Sequence, residues 1–470
     1  MDKRLRVCLV LEGSYPFVTG GVSSWVQQLI QGIPEVDFIL YTISPKKDQE
    51  VQYKLPENVT GHTDVVLSER ARITKGLCPD KKRLFNEILN IHKLFELGNI
   101  PNIDSIIKGM PRGYYLYRDA VARPEGWELI TETNQKHNPI YPFSDYFWAW
   151  KSAHDMMFTI IGSKPPEADV YHAVSTGYAG LAALTAKIKE ERPYLLTEHG
   201  LYHKEREIEI RRTSLIKGYQ RDMWIKIYSS LSRLSYKYAD LIISLFEYNR
   251  RMQIELGAED SKTLVIPNGI DVERFLSVKR EKKKGFHIGL VGRVVPIKDI
   301  KTFIAMAKIV SGAIPEVQFY CIGPTDEDPA YYEDCKLLVN SFHLNDKFHF
   351  TGRQDVHKYY SFLDVLLLTS IREAQPLVLL EGFCSGVPAV ATKVGNVPEL
   401  LDYDERFLAP SKDAEKLAEG VEYIYKNPEI MKNIVVRNRE KVLKFYDRRK
   451  VYKTYYNIYK SLAEGEKWQV

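Results

Sequence analysis

Two glutamates separated by seven residues form the pattern with the clearest chemical meaning. Glu373 follows an apolar run that ends at Thr369-Ser370, and Glu381 lies among apolar residues in a predicted helix that begins near Pro376. The start of a helix offers free backbone N–H groups and the positive end of the dipole, which suit a phosphate. A carboxylate in an apolar setting needs partners. A carboxylate placed like Glu373 can accept hydrogen bonds from sugar hydroxyls, and one placed like Glu381 can accept them from a ribose diol, although two acids at this spacing also occur on exposed helices.

Two cations flank a second loop. Arg293 follows the predicted strand 287–291, and Lys298 precedes the predicted helix 299–311. Open α/β sheets bind ligands at the carboxyl edge of the strands. Arginine presents a planar fork and lysine a point charge, a combination that suits a diphosphate. The alternative is two solvated surface cations.

Glycines and histidines mark further strand ends. Gly20 and Gly21 lie between the first strand and the first helix, where a backbone without side chains lets a ligand approach closely. The spacing matches neither the dinucleotide fingerprint nor the phosphate-binding P-loop. His172 and His199 end two later strands, and a structural role in the core is the alternative for both. We find no metal-binding cluster of His, Cys or acidic residues in the sequence.

The elements that carry these residues alternate between short apolar strands and amphipathic helices, which predicts parallel sheets with covered faces. The charged run 279–285 interrupts the pattern, after which it restarts. We therefore predict an α/β protein of two doubly wound domains that face a cleft. The first spans 1–278 and the second 286–446.

Two stretches depart from this pattern. Residues 68–158 are rich in charge, Tyr, Pro and Asn, and predict an insertion in the first domain. Residues 205–238 predict one basic amphipathic helix, which could lie on an anionic membrane or pack in the core with a solvated face.

Composition excludes several classes of protein. The 470 residues are 44% hydrophobic and 27% charged, which is typical of a globular chain. A net charge of +5 is too small to indicate nucleic-acid binding. Five scattered cysteines without a CxxC pattern indicate reduced thiols and a cytoplasmic protein. No long apolar window predicts a transmembrane helix, and the N-terminus predicts a strand rather than a signal peptide.

Taken together, these motifs resemble those of the retaining glycosyltransferases of family GT4, which have the GT-B fold of two Rossmann-like domains. The resemblance covers nearly the whole chain in the family's order and rests on Gly20-Gly21, Thr197-x-His199-Gly200, Pro267-Asn268-Gly269-Ile270-Asp271, Gly292-Arg293 with Lys298-Asp299, and Glu373 with Glu381. It implies that a C-terminal helix, within 447–470, crosses back onto the first domain.

The resemblance also implies roles for single residues. Arg293 and Lys298 would bind the donor diphosphate, and His199 would line the reacting centre. Glu373 would hold the donor sugar and Glu381 the ribose. Further donor-binding positions would be the paired glycines and the helix start, namely Gly20, Gly21, Gln375, Pro376 and Leu377. Backbone N–H groups would assist there at the residues other than Pro376, which has none. No cofactor or divalent metal is implied.

Within this family, four stretches resemble the glycosyltransferases of Pel exopolysaccharide synthesis: LEGSYPFVTGGVSSWVQQLI, VYHAVSTGYAGLAAL, TEHGLYHKEREIEI and GRVVPIKDIKTFI. That resemblance implies UDP-glucose or a related UDP-sugar as donor, a polysaccharide acceptor, and a cytoplasmic protein beside inner-membrane Pel proteins. Two other functions stay open: a nucleotide-sugar-binding component with weak or no catalysis, and an epimerase that cleaves nucleotide sugars.

Overall fold

The structure is a computed structural model. It describes residues 4–67, 83–84, 86–88, 100, 102–110, 124–137, 142–213, 218–466 and 468. Much of the predicted insertion, including 68–82, 89–99, 111–123 and 138–141, lies outside the described residues. By their internal contacts, the residues divide into two units, Met1–Ile266 with Tyr452–Val470, and Pro267–Val451.

The first unit contains a parallel sheet of seven strands within the described residues, in the order β3-β2-β1-β4-β5-β6-β7. Its strands are β1 (Arg6–Glu12), β2 (Asp37–Ser44), β3 (Val59–Val66), β4 (Val170–Ala173), β5 (Tyr194–Glu198), β6 (Leu241–Ser244) and β7 (Thr263–Val265). Its helices are α1 (Gly21–Gly32), α2 (Asp104–Gly109), α3 (Pro124–His137), α4 (Phe143–Gly162), α5 (Tyr178–Glu190), α6 (Tyr202–Arg212), α7 (Gly218–Tyr238) and α8 (Glu247–Glu255).

The second unit contains a parallel sheet of six strands in the part of the chain that the structure describes, in the order β10-β9-β8-β11-β12-β13. Its strands are β8 (Phe286–Val291), β9 (Val317–Ile322), β10 (Phe348–Gly352), β11 (Val365–Leu368), β12 (Ala389–Thr392) and β13 (Leu408–Ala409). Its helices are α9 (Val272–Leu276), α10 (Ile300–Ala313), α11 (Pro329–Ser341), α12 (Val356–Tyr360), α13 (Leu377–Cys384), α14 (Val397–Leu400), α15 (Ala414–Lys426) and α16 (Pro428–Phe445). The two sheets confirm the predicted doubly wound α/β class.

The last helix, α17 (Arg448–Ala463), begins in the second unit and groups with the first unit from Tyr452 onward. Residues 267–278 were predicted to belong to the first domain, whereas in the structure they group with the second unit. The reason is α9, whose Val272 and Phe275 are buried in the core of the second unit.

The prediction of one helix over 205–238 is wrong. The structure has two helices there, and α6 ends at Arg212 because Thr213 adopts an extended backbone, with φ −78° and ψ 135°. Gly218, where α7 begins, has a positive φ of 44°, which glycine adopts without steric cost. In the described residues, no helix has both the length and the apolar character needed to cross a membrane.

Candidate functional site

The candidate donor site lies at the carboxyl ends of β8 and β11. These strands are neighbours, and the chain reverses its direction of winding across the sheet between them. Such a switch point is where open α/β sheets bind ligands. The loop after β8 carries Arg293 and Lys298, and the loop after β11 carries Glu373. The topology therefore brings together three residues that the sequence analysis selected from separate segments.

Lys298 and Glu373 are in direct contact. The Lys298 Nζ lies 2.5 Å from Glu373 Oε1, which also accepts a hydrogen bond of 2.7 Å from the Ser370 hydroxyl. Both charged side chains are largely buried, with 20% and 15% of their surface exposed. The Thr369 hydroxyl donates to the Lys298 carbonyl at 2.7 Å, so the two loops are joined along their length. Separate ligand groups were predicted as partners of these two charges, and their mutual pairing was not predicted from the sequence.

Arg293 also has a carboxylate partner. Its guanidinium lies 2.5 Å from Glu327 Oε1, and both side chains are about half exposed. Glu327 precedes α11, whose first turn is capped by Asp328 through a hydrogen bond from the Tyr331 N–H. A pair this exposed contributes up to about 1 kcal/mol, so a diphosphate could replace Glu327 at low cost.

Glu381 lies in the second turn of α13, and its partly buried carboxylate has the partner that its apolar sequence setting predicted. The Tyr360 hydroxyl, itself buried, lies 3.2 Å from Glu381 Oε2 and 3.3 Å from the Val378 carbonyl. Burial raises the pKa of Glu381, while the Tyr360 hydroxyl and the charge of Arg274 oppose the rise. Tyr360 is 21 positions away in sequence, and no local pattern indicated it as the partner.

The helix α13 begins at Leu377 and follows Pro376, so its first N–H groups lie next to Glu373 in sequence. The Gln375 side chain has a role that the sequence analysis did not predict. Its Oε1 accepts from the Asn268 N–H at 2.8 Å, and its Nε2 donates to the Asn268 carbonyl at 3.2 Å. The Pro267–Asp271 motif is thereby fixed to the loop that carries Glu373.

A loop after β12 packs on the same segment and was missed from sequence. Gly395 has a φ of 52°, and a Cβ there would lie 2.3 Å from the carbonyl oxygens of Glu373 and Ala374. The next residue, Asn396, donates its N–H to the Ala374 carbonyl at 3.0 Å. Only glycine permits this approach, and the close contact fixes the backbone that carries Glu373.

In the first unit, strand order reverses between β1 and β4, and Glu12 ends β1. Its carboxylate accepts from the N–H groups of Tyr178 at 2.7 Å and Ala179 at 3.3 Å, at the start of α5. The Tyr202 hydroxyl donates to it at 2.8 Å. Burial raises the pKa of Glu12, and these hydrogen bonds oppose the rise. The carboxylate thus holds α5 and α6 at the switch point, a role without a sequence signal.

Glu198, the last residue of β5, is also buried. It accepts from the Tyr202 N–H at 3.0 Å, the Tyr236 hydroxyl at 2.6 Å and the Gln253 amide at 2.9 Å. Burial raises its pKa as well. Because all three donors come from different helices, Glu198 fixes the backbone immediately before His199.

The two predicted histidines both contact the ring of Trp25. The ring centroid of Trp25 lies 4.4 Å from that of His199 and 6.2 Å from that of His172. Burial lowers the pKa of His172 to about 3 and that of His199 to about 4. Both imidazoles are therefore neutral at physiological pH. His199 Nε2 is buried and has no protein hydrogen-bond partner in the described part of the chain.

The paired glycines precede this cluster. Gly21 begins α1, and a Cβ at Gly20 or Gly21 would have nothing within 4 Å. Open space at both positions is what the close approach of a ligand requires. Gly20, Gly21, His172 and His199 lie in the first unit, and the remaining predicted site residues lie in the second. In the residues that the structure covers, no group of three or more His, Cys, Asp or Glu side chains could hold a metal ion.

Two families match the chain. The model described as "Domain of unknown function (DUF3492)" matches residues 5–261, and the model described as "Glycosyl transferases group 1" matches residues 271–441. The second match contains Arg293, Lys298, Glu373 and Glu381.

Curated relatives are glycosyltransferases of several kinds. N-acetyl-alpha-D-glucosaminyl L-malate synthase of Bacillus anthracis is 27% identical over 47% of this chain and 57% of its own length. UDP-Gal:alpha-D-GlcNAc-diphosphoundecaprenol alpha-1,3-galactosyltransferase of Escherichia coli is 25% identical over 49% of this chain and 59% of its own length. The chain thus spans less than two thirds of the length of these relatives.

Solved structures share the fold over almost the whole chain. A glycosyltransferase from Rickettsia africae has a TM-score of 0.61 at 14% identity, and covers 99% of this chain and 100% of its own. Anabaena Alr3699/HepE in complex with UDP and glucose has a TM-score of 0.56 at 15% identity, and covers 97% of this chain and 99% of its own. These similarities confirm the predicted GT-B fold class. Because the DUF3492 model spans more than half of the sequence, the chain belongs to that family, and its second half carries a glycosyl transferases group 1 domain.

Proposed function

We propose that the protein is a retaining, metal-independent glycosyltransferase that transfers a sugar from a UDP-sugar, with UDP-glucose as the first candidate, to a growing exopolysaccharide of Pel type. The observation that carries this proposal is the arrangement at the ends of β8 and β11. Arg293, Lys298 and Glu373 lie there beside the start of α13, where cations and free N–H groups suit a diphosphate.

The proposed chemistry follows from the charges. The bond between the anomeric carbon and the diphosphate oxygen breaks, and the acceptor oxygen forms the new bond. Negative charge develops on the departing UDP, and preorganised positive groups stabilise it. Arg293 and Lys298 supply those groups in place of a divalent metal. We propose attack from the face that UDP leaves, with the acceptor proton passing to the departing phosphate, which retains the anomeric configuration.

The other residues bind the donor. Glu381, held by Tyr360, accepts hydrogen bonds from the ribose diol, and Glu373 accepts them from the donor sugar. His199, neutral through burial, offers an unpartnered ring nitrogen to the reacting sugar. Gly20 and Gly21 leave space for the substrate.

The Pel assignment rests on the four sequence stretches that resemble the glycosyltransferases of Pel exopolysaccharide synthesis. Under this proposal the protein acts in the cytoplasm, with inner-membrane Pel proteins as partners. The donor assignment is in line with the fold shared with HepE, whose structures are described as complexes with UDP, glucose and UDP-glucose.

Calorimetric titration against UDP-, GDP- and ADP-sugars tests the donor assignment. We expect binding of UDP and UDP-glucose in preference to GDP-sugars, and tight binding of GDP-mannose without UDP binding would contradict it. Product analysis with an acceptor then separates transfer, which yields a glycoside, from an epimerase-like cleavage, which yields free sugar and UDP. Binding without any product would indicate a nucleotide-sugar-binding component. Turnover should survive EDTA, and loss that magnesium or manganese restores would contradict metal independence.

A further inference from the structure

A buried chain of hydrogen bonds joins the last helix to the strand that precedes His199. The Tyr459 hydroxyl lies 2.7 Å from His172 Nδ1, and His172 Nε2 lies 2.8 Å from the Thr197 hydroxyl. The Tyr455 hydroxyl lies 3.2 Å from the same Thr197 oxygen. All four side chains are at most 1% exposed. A hydroxyl can both donate and accept, so the neutral His172 ring is satisfied at both nitrogens in either tautomer.

Contacts between aromatic rings connect this series of hydrogen bonds to His199. Trp25 meets Tyr455 at a centroid distance of 5.5 Å and His199 at 4.4 Å, both edge to face. Its indole therefore lies between the last helix and the histidine. Thr197 is two residues before His199 on β5, so the hydrogen bonds also fix the backbone from which His199 projects.

The last helix can pack closely against the end of α1 because α1 ends with a glycine. A Cβ on Gly32, the last residue of α1, would lie 2.1 Å from the ring of Tyr452, so only a residue without a side chain allows this approach. Tyr455 and Tyr459 then follow on α17 at spacings of three and four, which places them on one face of the helix.

We infer that Tyr455 and Tyr459 are positioning residues, which hold His172, Thr197 and Trp25 so that the unpartnered nitrogen of His199 keeps one orientation. The inference rests on the proposed function, because it is there that His199 meets the substrate. Neither tyrosine touches substrate in this account. The C-terminal helix thus takes part in the reaction without contributing a catalytic residue.

Tyr459→Phe tests the inference because it removes a single hydroxyl, and Tyr456→Phe on the same helix is the matched control. Removing one buried hydrogen bond should lower kcat about threefold to tenfold. The Kd for UDP should stay within about twofold of wild type, because the side chains predicted to bind UDP, namely Arg293, Lys298 and Glu381, lie in the second unit. Tyr456→Phe should change neither quantity. An unchanged kcat in Tyr459→Phe would overturn the inference, as would an equal loss in both variants.

A double-mutant cycle tests the route through His172. If Tyr459 acts through that ring, the kcat of Tyr459→Phe with His172→Gln should equal that of His172→Gln alone. Losses that multiply would show that the two residues act independently and would overturn the proposed route. Where Tyr459→Phe does not fold, Thr197→Val removes the neighbouring link and carries the same expectations.

A readout that needs no turnover separates this inference from the proposed function. In the full chain with ¹⁵N-labelled histidine, Tyr459→Phe should shift the ring-nitrogen resonances of both His172 and His199, and Tyr456→Phe should shift neither. A shift confined to His172 would overturn the inference. If the shifts occur in a protein that binds no UDP-sugar, the positioning network stands and the proposed function fails.

Discussion

The Nζ of Lys298 and the Oε1 of Glu373 lie 2.5 Å apart and join the loops that follow β8 and β11. The two residues are 75 positions apart in sequence, yet the switch of strand order makes their loops neighbours. A cation proposed for the diphosphate and a carboxylate proposed for the sugar thus neutralise each other in the free protein. In the proposed complex, Lys298 would contact the diphosphate and Glu373 the sugar, so donor binding would replace the contact between them.

We expect Lys298→Ala to reduce turnover of UDP-glucose on the order of a hundredfold or more, because each preorganised electrostatic contact with the leaving group contributes about 3–4 kcal/mol. Lys301→Ala is the matched control, since Lys301 lies on α10 and pairs with Asp334 on the surface. Steady-state kinetics measures the effect, and circular dichroism checks the fold. Near-full activity of Lys298→Ala would contradict the diphosphate assignment.

Glu373 is expected to behave differently from its partner. Glu373→Ala should weaken binding of UDP-glucose and slow turnover while leaving UDP binding close to wild type, because the carboxylate is assigned to the sugar. Losing a charged hydrogen-bond partner costs about 1.5–3 kcal/mol, which is tenfold or more in affinity. Calorimetry with UDP and with UDP-glucose measures both values. Equal losses for the two ligands would rule out the assignment to the sugar.

The half-exposed pair of Arg293 and Glu327 leads to opposite expectations for its two members. Arg293→Ala should lower turnover about a hundredfold, as for Lys298, because it removes a cation from the leaving group. Glu327→Gln should keep turnover or tighten UDP binding, because it removes the carboxylate that the diphosphate must displace. A large loss of UDP binding in Glu327→Gln would show that Glu327 acts on the substrate side.

If Glu381 binds the ribose as proposed, UDP binding should depend on pH. Both ribose hydroxyls would donate to the ionised carboxylate, whereas burial raises the pKa of Glu381 and favours its protonated form. UDP affinity should therefore fall as the pH decreases through this raised pKa, and the fall should begin at a higher pH than for an ordinary glutamate. Titration of the Kd against pH measures the effect. Glu381→Gln should bind weakly at every pH with a flatter profile, and a wild-type slope retained in that variant would assign the dependence to another group.

Tyr360→Phe tests the effect of the protein's own hydrogen bond on the Glu381 carboxylate. The Tyr360 hydroxyl opposes the rise in the pKa of Glu381, so its removal should raise that pKa further. The loss of UDP affinity on acidification should then begin at a higher pH than in wild type. A profile identical to that of wild type would show that the hydroxyl serves only the Val378 carbonyl.

The sequence predicted residues whose chemistry is local and missed those whose partners are distant. Glu373, Lys298 and Arg293 were selected because each lies just after an apolar strand or just before a helix. Their pairing depends on strand order, which a linear pattern does not contain. The roles of Tyr360 and Gln375 likewise depend on residues 21 and 107 positions away.

The elements of the fold that were not predicted also lack a local sequence pattern. The edge strand β3 was not predicted because alternate residues are exposed along most of its length, so it lacks an apolar run. The two-residue strand β13 is too short to leave a pattern. The helix predicted over 205–238 failed because continuous amphipathic spacing does not reveal the extended backbone at Thr213.

The contact between Gly32 and Tyr452 leads to the last prediction. A Cβ at position 32 would lie 2.1 Å from the Tyr452 ring, and an aromatic ring has no flexible end that could move aside. Gly32→Ala should therefore displace α17 and lower the free energy of unfolding by about 1–3 kcal/mol. Gly312→Ala is the matched control, because Gly312 also lies near the end of a helix but has nothing within 4 Å of a new Cβ.

At Gly312, alanine should instead stabilise the protein by roughly 0.5–1 kcal/mol, because it lowers the conformational entropy of the unfolded chain. Melting temperatures of the two variants should thus move in opposite directions. The kcat of Gly32→Ala should also fall, since displacing α17 removes Tyr455 and Tyr459 from the residues that hold His199. A variant that is destabilised at Gly32 but retains full kcat would show that α17 contributes stability alone.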